Sequence, residues 1–404
     1  MPQSGTLGGQ RAAGGTQAMG LIVVMLLPTA PLLALVPNLP QLMQHFASVP
    51  GHDVLVPMIL TLPSICLALL APVAGTLADR FGRRRTLLYA LVLFTVSGLA
   101  PLFLSDLRYI LIAQLGVGIA ESVIMATGNA LLGDYFDPEG RRKWLGVQSI
   151  VGSICASLFI LGGGALGNID WHAPFLINIL GGIAFVWILV ATWEPRPADH
   201  PAGAAPAESL AVFPWRAMIP IFAVTLATSI LYFVQAVNLG LIFSRLGAQS
   251  PSTISIATTV ASVGVLCGGY FFRRQTRLGT GKALSIVYLA YGIGLMGLGF
   301  STSYLKAVPF GIVAQFGNGM AIPILVNWAL RRLDFQYRGR GMGLWATSFF
   351  VGQFLSSMVI ALIGRVSGGL LDAIAIIGGF CLLLAVASAF FARSEVVAAQ
   401  PASH

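Results

Sequence analysis

Apolar residues in this chain come in long runs, and twelve of those runs are long enough to cross a bilayer. Their limits are 19–45, 54–78, 86–104, 108–133, 144–166, 173–193, 215–243, 253–272, 283–300, 304–330, 341–364 and 369–392. A backbone surrounded by hydrocarbon must satisfy its own hydrogen bonds, which leaves helices and closed barrels. Barrel strands alternate in hydropathy over segments of about ten residues, and these runs do not. The fold class read from the sequence is therefore all-α and integral to a membrane. Composition agrees, with 56% of the 404 residues hydrophobic and only 9% charged, where a soluble domain carries about 25% charged. Cys66, Cys155, Cys267 and Cys381 all fall inside apolar runs without CxxC spacing. They read as small packing residues, and no metal site is expected.

Charge orients the spans. With both termini on one side, the opposite side keeps only Arg108, Arg245, Lys306 and Arg365 of the 23 Lys and Arg. The positive-inside rule then assigns both ends to the cytoplasm, in a multi-pass protein of the inner (plasma) membrane. The formal charge of +9 raises nucleic acid as a partner. Its basic residues sit in short loops between apolar runs, not on one amphipathic face, so that partner is excluded and the lipid bilayer is expected instead.

The longest interior polar stretch, EPRPADHPAGAAPAESLAVFPWR at 194–216, is rich in Pro and Ala and reads as a linker. The organisation expected is a cytoplasmic tail over 1–18, a six-helix bundle over 19–193, a cytoplasmic linker over 194–215, a second bundle over 216–392 and a cytoplasmic tail over 393–404. An internal repeat supports the division. IAQLGVGIA at 112–120 and VAQFGNGMA at 313–321 fall in the fourth span of each half, and five of nine positions are identical. Parallel repeats of this kind build transporters whose substrate path lies near mid-membrane between the halves.

Between spans two and three the chain reads GTLADRFGRRR. Gly75 permits close helix approach, and Gly82 permits a tight reversal. Asp79 places an anion at the membrane edge, where an Arg or a helix N-terminus can hold it. Gly75, Asp79, Arg80, Gly82, Arg83 and Arg84 match, in spacing, the signature loop of the major facilitator superfamily. The chain resembles that family, in particular its bacterial drug and small-molecule permeases, over about residues 19–392. The resemblance implies two six-helix bundles that rock about a central cavity. It also implies a conformational latch in which Asp79 meets the start of span eleven near Gly341–Gly343. In the corresponding loop of the second half, GGYFFRRQTRLGTGK, Phe272 stands where the acid would lie, so any latch is asymmetric.

Glu121 is the one acid in the middle of a span. A charge there costs at least about 2.5–3.5 kcal/mol, so it calls for a function. It is the candidate proton or cation site: it carries the coupling proton, attracts a cationic substrate, or does both in competition. The plainer alternative is a protonated Glu joining helices. Gln114 lies seven residues earlier, about 20° away on a helical wheel, and shares an inward face with Glu121 and Met125. Lys and Arg are absent from span centres, and Ile112 stands where many proton-coupled members of the family carry an arginine. A strongly anionic substrate is therefore not expected.

By the resemblance, spans 1, 4, 7 and 10 line the cavity, flanked by 2, 5, 8 and 11. The substrate-cavity candidates are Asn38 between Pro37 and Pro40, Gln114, Met125, Tyr232, Gln235, Asn238, Asn318, Asn327, Phe349 and Gln353. Such a lining suits a small, partly apolar solute making a few hydrogen bonds. The chain has no GxxxxGK[ST] phosphate loop, no GxSxG and no intramembrane acid pair. The expected function is secondary active transport of a neutral or cationic organic solute, read as export coupled to protons, by a monomer without an organic or metal cofactor and without enzymatic chemistry. Alternatives are an uptake permease for a small organic nutrient, or a non-transporting receptor or scaffold.

Overall fold

The computed structural model describes residues 13–194, 213–275, 279–333 and 337–398. Most of the N-terminal tail, most of the linker, residues 399–404, and Arg11, Arg196 and Arg277 lie outside the described residues. Among the described residues, twelve helices are long and apolar enough to span a membrane. They are α1 Gly15–His45, α2 His52–Phe81, α3 Arg83–Phe103, α4 Leu107–Tyr135, α5 Pro138–Gly167, α6 Ala173–Ala191, α7 Trp215–Arg245, α8 Pro251–Arg274, α9 Thr280–Gly299, α10 Tyr304–Arg332, α11 Arg338–Ser367 and α12 Leu370–Ala398. No strand occurs among the described residues. Successive helices alternate in direction, so the described ends of the chain and the basic loops share one end, here called proximal. The other end is distal.

Local sequence explains the irregular places. In α1, Pro28 and Pro37 each open a 3₁₀ turn, at Leu27–Thr29 and Val36–Asn38, with Pro31 and Pro40 in the following helical turns. Proline supplies no N–H and crowds the carbonyl four residues back, so the rod breaks into three pieces. Between α2 and α3 the chain reverses through Gly82 alone, at φ 95°. An L side chain is strained there, and its Cβ would also stand 3.0 Å from the Glu194 carboxylate.

Matched glycines set the packing inside each half. Gly118 of α4 lies against Pro63 and Cys66 of α2, while its repeat mate Gly319 of α10 lies against Val265 and Gly269 of α8. The repeated sequence thus occupies the same helix–helix contact in both halves, where a missing Cβ lets backbones approach.

Between the halves, closure is confined to the distal end. One apolar core joins Leu35, Leu39, Leu42, Val56 and Leu60 of the N-terminal half to α7–α12. The proximal part of that half, around Leu21, Leu91, Ile124 and Leu131, forms a separate core. Distally, Asn168 donates to Ser252 at 2.5 Å, and Gly164 of α5 lies against Ser255 and Pro251 of α8. Along α2 and α11, Asp53 pairs with Arg365, Thr61 with Ser357 at 3.0 Å, and the Thr347 hydroxyl donates to the Ala68 carbonyl at 3.0 Å. Proximal to that point the helices part: a Cβ added at Gly75 or at Gly343 would meet nothing within 4 Å. The two halves enclose a cleft that opens at the proximal end.

Candidate functional site

The signature loop is wired into its own half. Arg83 reaches Asp79 Oδ1 from Nη2 at 3.0 Å and from Nε at 3.2 Å, and its Nη1 donates to Asp134 at the end of α4. The Asp79 side chain is 66% exposed and that of Asp134 only 8%. Arg84 donates to the Leu189 carbonyl at 2.8 Å and to the Thr192 hydroxyl at 3.3 Å. The Glu194 carboxylate accepts the backbone N–H groups of Arg84 and Arg85, both at 3.2 Å, so it caps α3. Arg80 lies with its guanidinium over the Phe81 ring at 5.6 Å. Among the described residues no contact of Asp79 with the start of α11 is seen: a Cβ at Gly343 would meet nothing within 4 Å, and Gly341 rests on Leu333. Asp134 and Glu194 escaped the sequence reading. Their only signal was an acid at a span end, with nothing local to join it to residue 83 or 84.

Glu121 is 3% exposed in α4. One turn before it, Gly118 packs on α2, and two turns after it, Gly128 packs on Met25 of α1. By helical wheel Glu121 lies between the directions of α2 and α1, buried among the helices of its own half. It makes no hydrogen bond or ion pair among the described residues. Gln114, 2% exposed, has an amide nitrogen without a partner, while Met125 is half-buried. Ile112 is 61% exposed and, nine positions before Glu121, lies on the opposite side of α4. An arginine at that position would not face the acid.

In the C-terminal half, the Tyr291 hydroxyl donates to Asn318 Oδ1 at 2.7 Å. The Asn318 amide donates to Gln235 at 2.9 Å and to Gln315 at 2.7 Å. This buried network joins α7, α9 and α10, and Gln235 keeps one unpartnered amide nitrogen. Phe349 stacks on Trp345 with centroids 5.4 Å apart and meets Phe233 at 5.4 Å and Tyr232 at 5.9 Å. The buried Trp345 indole N–H has no partner among the described residues. Gln353, four residues after Phe349 on α11, is buried. Other candidates serve packing here. Asn38 donates to Ala34 at 2.8 Å and to Gly163 at 2.9 Å, joining α1 to α5 in the sealed distal part. Asn238 donates to the Val234 carbonyl of its own helix at 2.8 Å, and Asn327 is exposed near the proximal end of α10.

Two six-helix halves joined at one end and parted at the other have the architecture of a multi-pass membrane transporter. The chain belongs to the Major Facilitator Superfamily, whose family profile matches residues 19–357. It is 25% identical over 309 residues to the quinolone resistance protein NorA of Staphylococcus aureus, covering 72% of this chain and 76% of that one. To the tetracycline resistance protein, class C, of Escherichia coli it is 26% identical over 362 residues, covering 86% and 89%. Among solved structures, the inward-facing, unoccupied bacterial homolog of the human lysosomal transporter Spinster has a TM-score of 0.74 at 17% identity, covering 97% of this chain and 100% of that chain. The nucleoside transporter NupG has a TM-score of 0.76 at 12% identity, covering 92% and 98%. Those two likenesses concern the fold.

Proposed function

We propose that this chain exports a small, partly apolar, neutral or cationic organic solute across the inner membrane by alternating access, in exchange for protons, as a monomer with both termini in the cytoplasm. The observation that carries the reading is Glu121, a buried acid in α4 of the N-terminal half with no hydrogen-bond or ion-pair partner among the described residues. An unpaired carboxylate in that setting takes up a proton or a cationic group as water access alternates. The aromatic wall of Tyr232, Phe233, Trp345 and Phe349 supplies apolar faces for a flat organic molecule. The basic loops support a cytoplasmic proximal end, which makes the present state the inward-open one. Export is supported by the two resistance proteins among the relatives, since resistance follows when a toxic compound leaves the cell.

The α2–α11 seam supports a latch for the opposite state. From Asp53 to Thr61 is eight positions, and from Arg365 back to Ser357 is also eight. Fourteen positions further along each helix come Gly75 and Gly343. When the cleft closes, these two glycines meet, and Asp79 reaches the first turn of α11.

The test is transport in proteoliposomes with an imposed pH gradient, using a quinolone, a tetracycline and a lipophilic cation as probes. The expected result is gradient-driven accumulation in the unsubstituted chain. Glu121→Gln keeps exchange at symmetrical pH and loses that accumulation. Unchanged accumulation in the variant ends the role of Glu121, and transport of none of the probes under any gradient ends this substrate class.

A further inference from the structure

At the distal rim the two halves meet through Asp53 and Arg365. The guanidinium donates from Nε to Oδ2 at 2.7 Å and from Nη2 to Oδ1 at 3.0 Å, a two-point pairing. Asp53 stands in the first turn of α2 and Arg365 in the last turn of α11, so each charge also sits at the helix end that favours it. The Arg365 side chain is 56% exposed and that of Asp53 35%. Each can therefore hydrate when the pair separates, without the penalty that breaking a buried pair carries.

α2 carries an acid near each end, Asp53 and Asp79, 26 positions apart. That is roughly 39 Å along a helix. In the present state Asp53 reaches across to α11, and Asp79 pairs within its own half. Between them, α2 and α11 stay in contact as far as Ala68 and Thr347. Two stiff rods crossing there close at one end only as they open at the other.

We propose that Asp53 and Arg365 form the distal lock of the transport cycle, a positioning pair that holds the halves together opposite the open cleft and separates before the distal side opens. This rests on the alternating-access reading. A partly exposed pair is a modest bias and not a clamp, so its loss shifts the balance between the two states by about three- to tenfold. A lock of that strength opens within a working cycle.

The experiment is a distance measurement by double electron–electron resonance in lipid nanodiscs. Spin labels are placed at Glu139→Cys and Arg273→Cys, exposed at the proximal ends of α5 and α8, in a chain whose four native cysteines are replaced. In this background, Asp53→Asn and Arg365→Gln are each expected to raise the short-distance population about three- to tenfold. The charge exchange Asp53→Arg with Arg365→Asp is expected to return it toward the unsubstituted value. Single variants that leave the distribution unchanged overturn the lock, as do shifts that the exchange does not reverse. If the unsubstituted distribution does not respond to pH or to any probe compound, the alternating-access reading itself fails, an outcome distinct from failure of the lock.

Discussion

The carboxylate of Glu194 closes over the first amides of α3, accepting from Arg84 N–H at 3.2 Å across 110 positions of sequence. The second oxygen takes the N–H of Arg85. The start of the linker is thereby fastened to the signature loop. Glu194→Ala is expected to cost about 1–2 kcal/mol, as loss of a good helix cap does. Hydrogen exchange at Arg84 and Arg85, followed by mass spectrometry, is expected to speed up. Exchange at the unsubstituted rate would show that water satisfies those amides equally well.

Arg83 holds two acids of unequal burial, and their removal should cost unequally. Arg83→Gln removes one ion-pair partner of the buried Asp134 and is expected to lower stability by about 1–2 kcal/mol, discounted because the guanidinium itself is partly exposed. Asp79→Asn removes only an exposed pair and is expected to cost less than about 1 kcal/mol. Urea denaturation in detergent gives both numbers. A larger loss for Asp79→Asn would reverse this ordering of the two acids.

Asn318 is the hub of three hydrogen bonds inside the C-terminal half. Asn318→Leu leaves Tyr291, Gln235 and Gln315 without their shared partner and is expected to cost about 1–3 kcal/mol. Thermal unfolding measures the loss. If Asn318 instead contacts the solute, the variant will unfold normally and show a raised KM for the transported compound.

Continuation of the α2–α11 register places Gly75 opposite Gly343 when the cleft closes. The pair Gly75→Cys with Gly343→Cys is expected to cross-link under oxidant during turnover. Trapping the inward-open state should suppress the cross-link. Equal cross-linking in both conditions would mean that the two helices do not part as the present structure has them.

The helices themselves were legible in the sequence because lipid imposes a single demand on every residue of a span, and the expected limits fall close to the observed ones. The tight bend at Gly82 was legible for a similar reason, since one residue carries the whole reversal. The burial of both Gln114 and Glu121, seven residues apart on α4, is what helical spacing leads one to expect. The partners of charged groups were not legible. Asp53 meets Arg365 across 312 positions, and Asn38 finds the Gly163 carbonyl across 125. Both depend on how whole helices dock, and in the second the partner is backbone, which leaves no trace in residue type. Which end of the cleft stands open is likewise a property of docking, since one sequence serves every state of the cycle.

The apolar core shared by the halves at the distal end gives the cycle a thermal character. Whenever that end opens, Leu39, Leu42, Val56 and their neighbours across the divide are wetted. The force that returns them to contact weakens on cooling and carries a heat-capacity change. In the proposed cycle, lower temperature is therefore expected to tilt the balance toward the distally open form to the extent that closing the proximal end buries less apolar surface, with a curved van't Hoff plot.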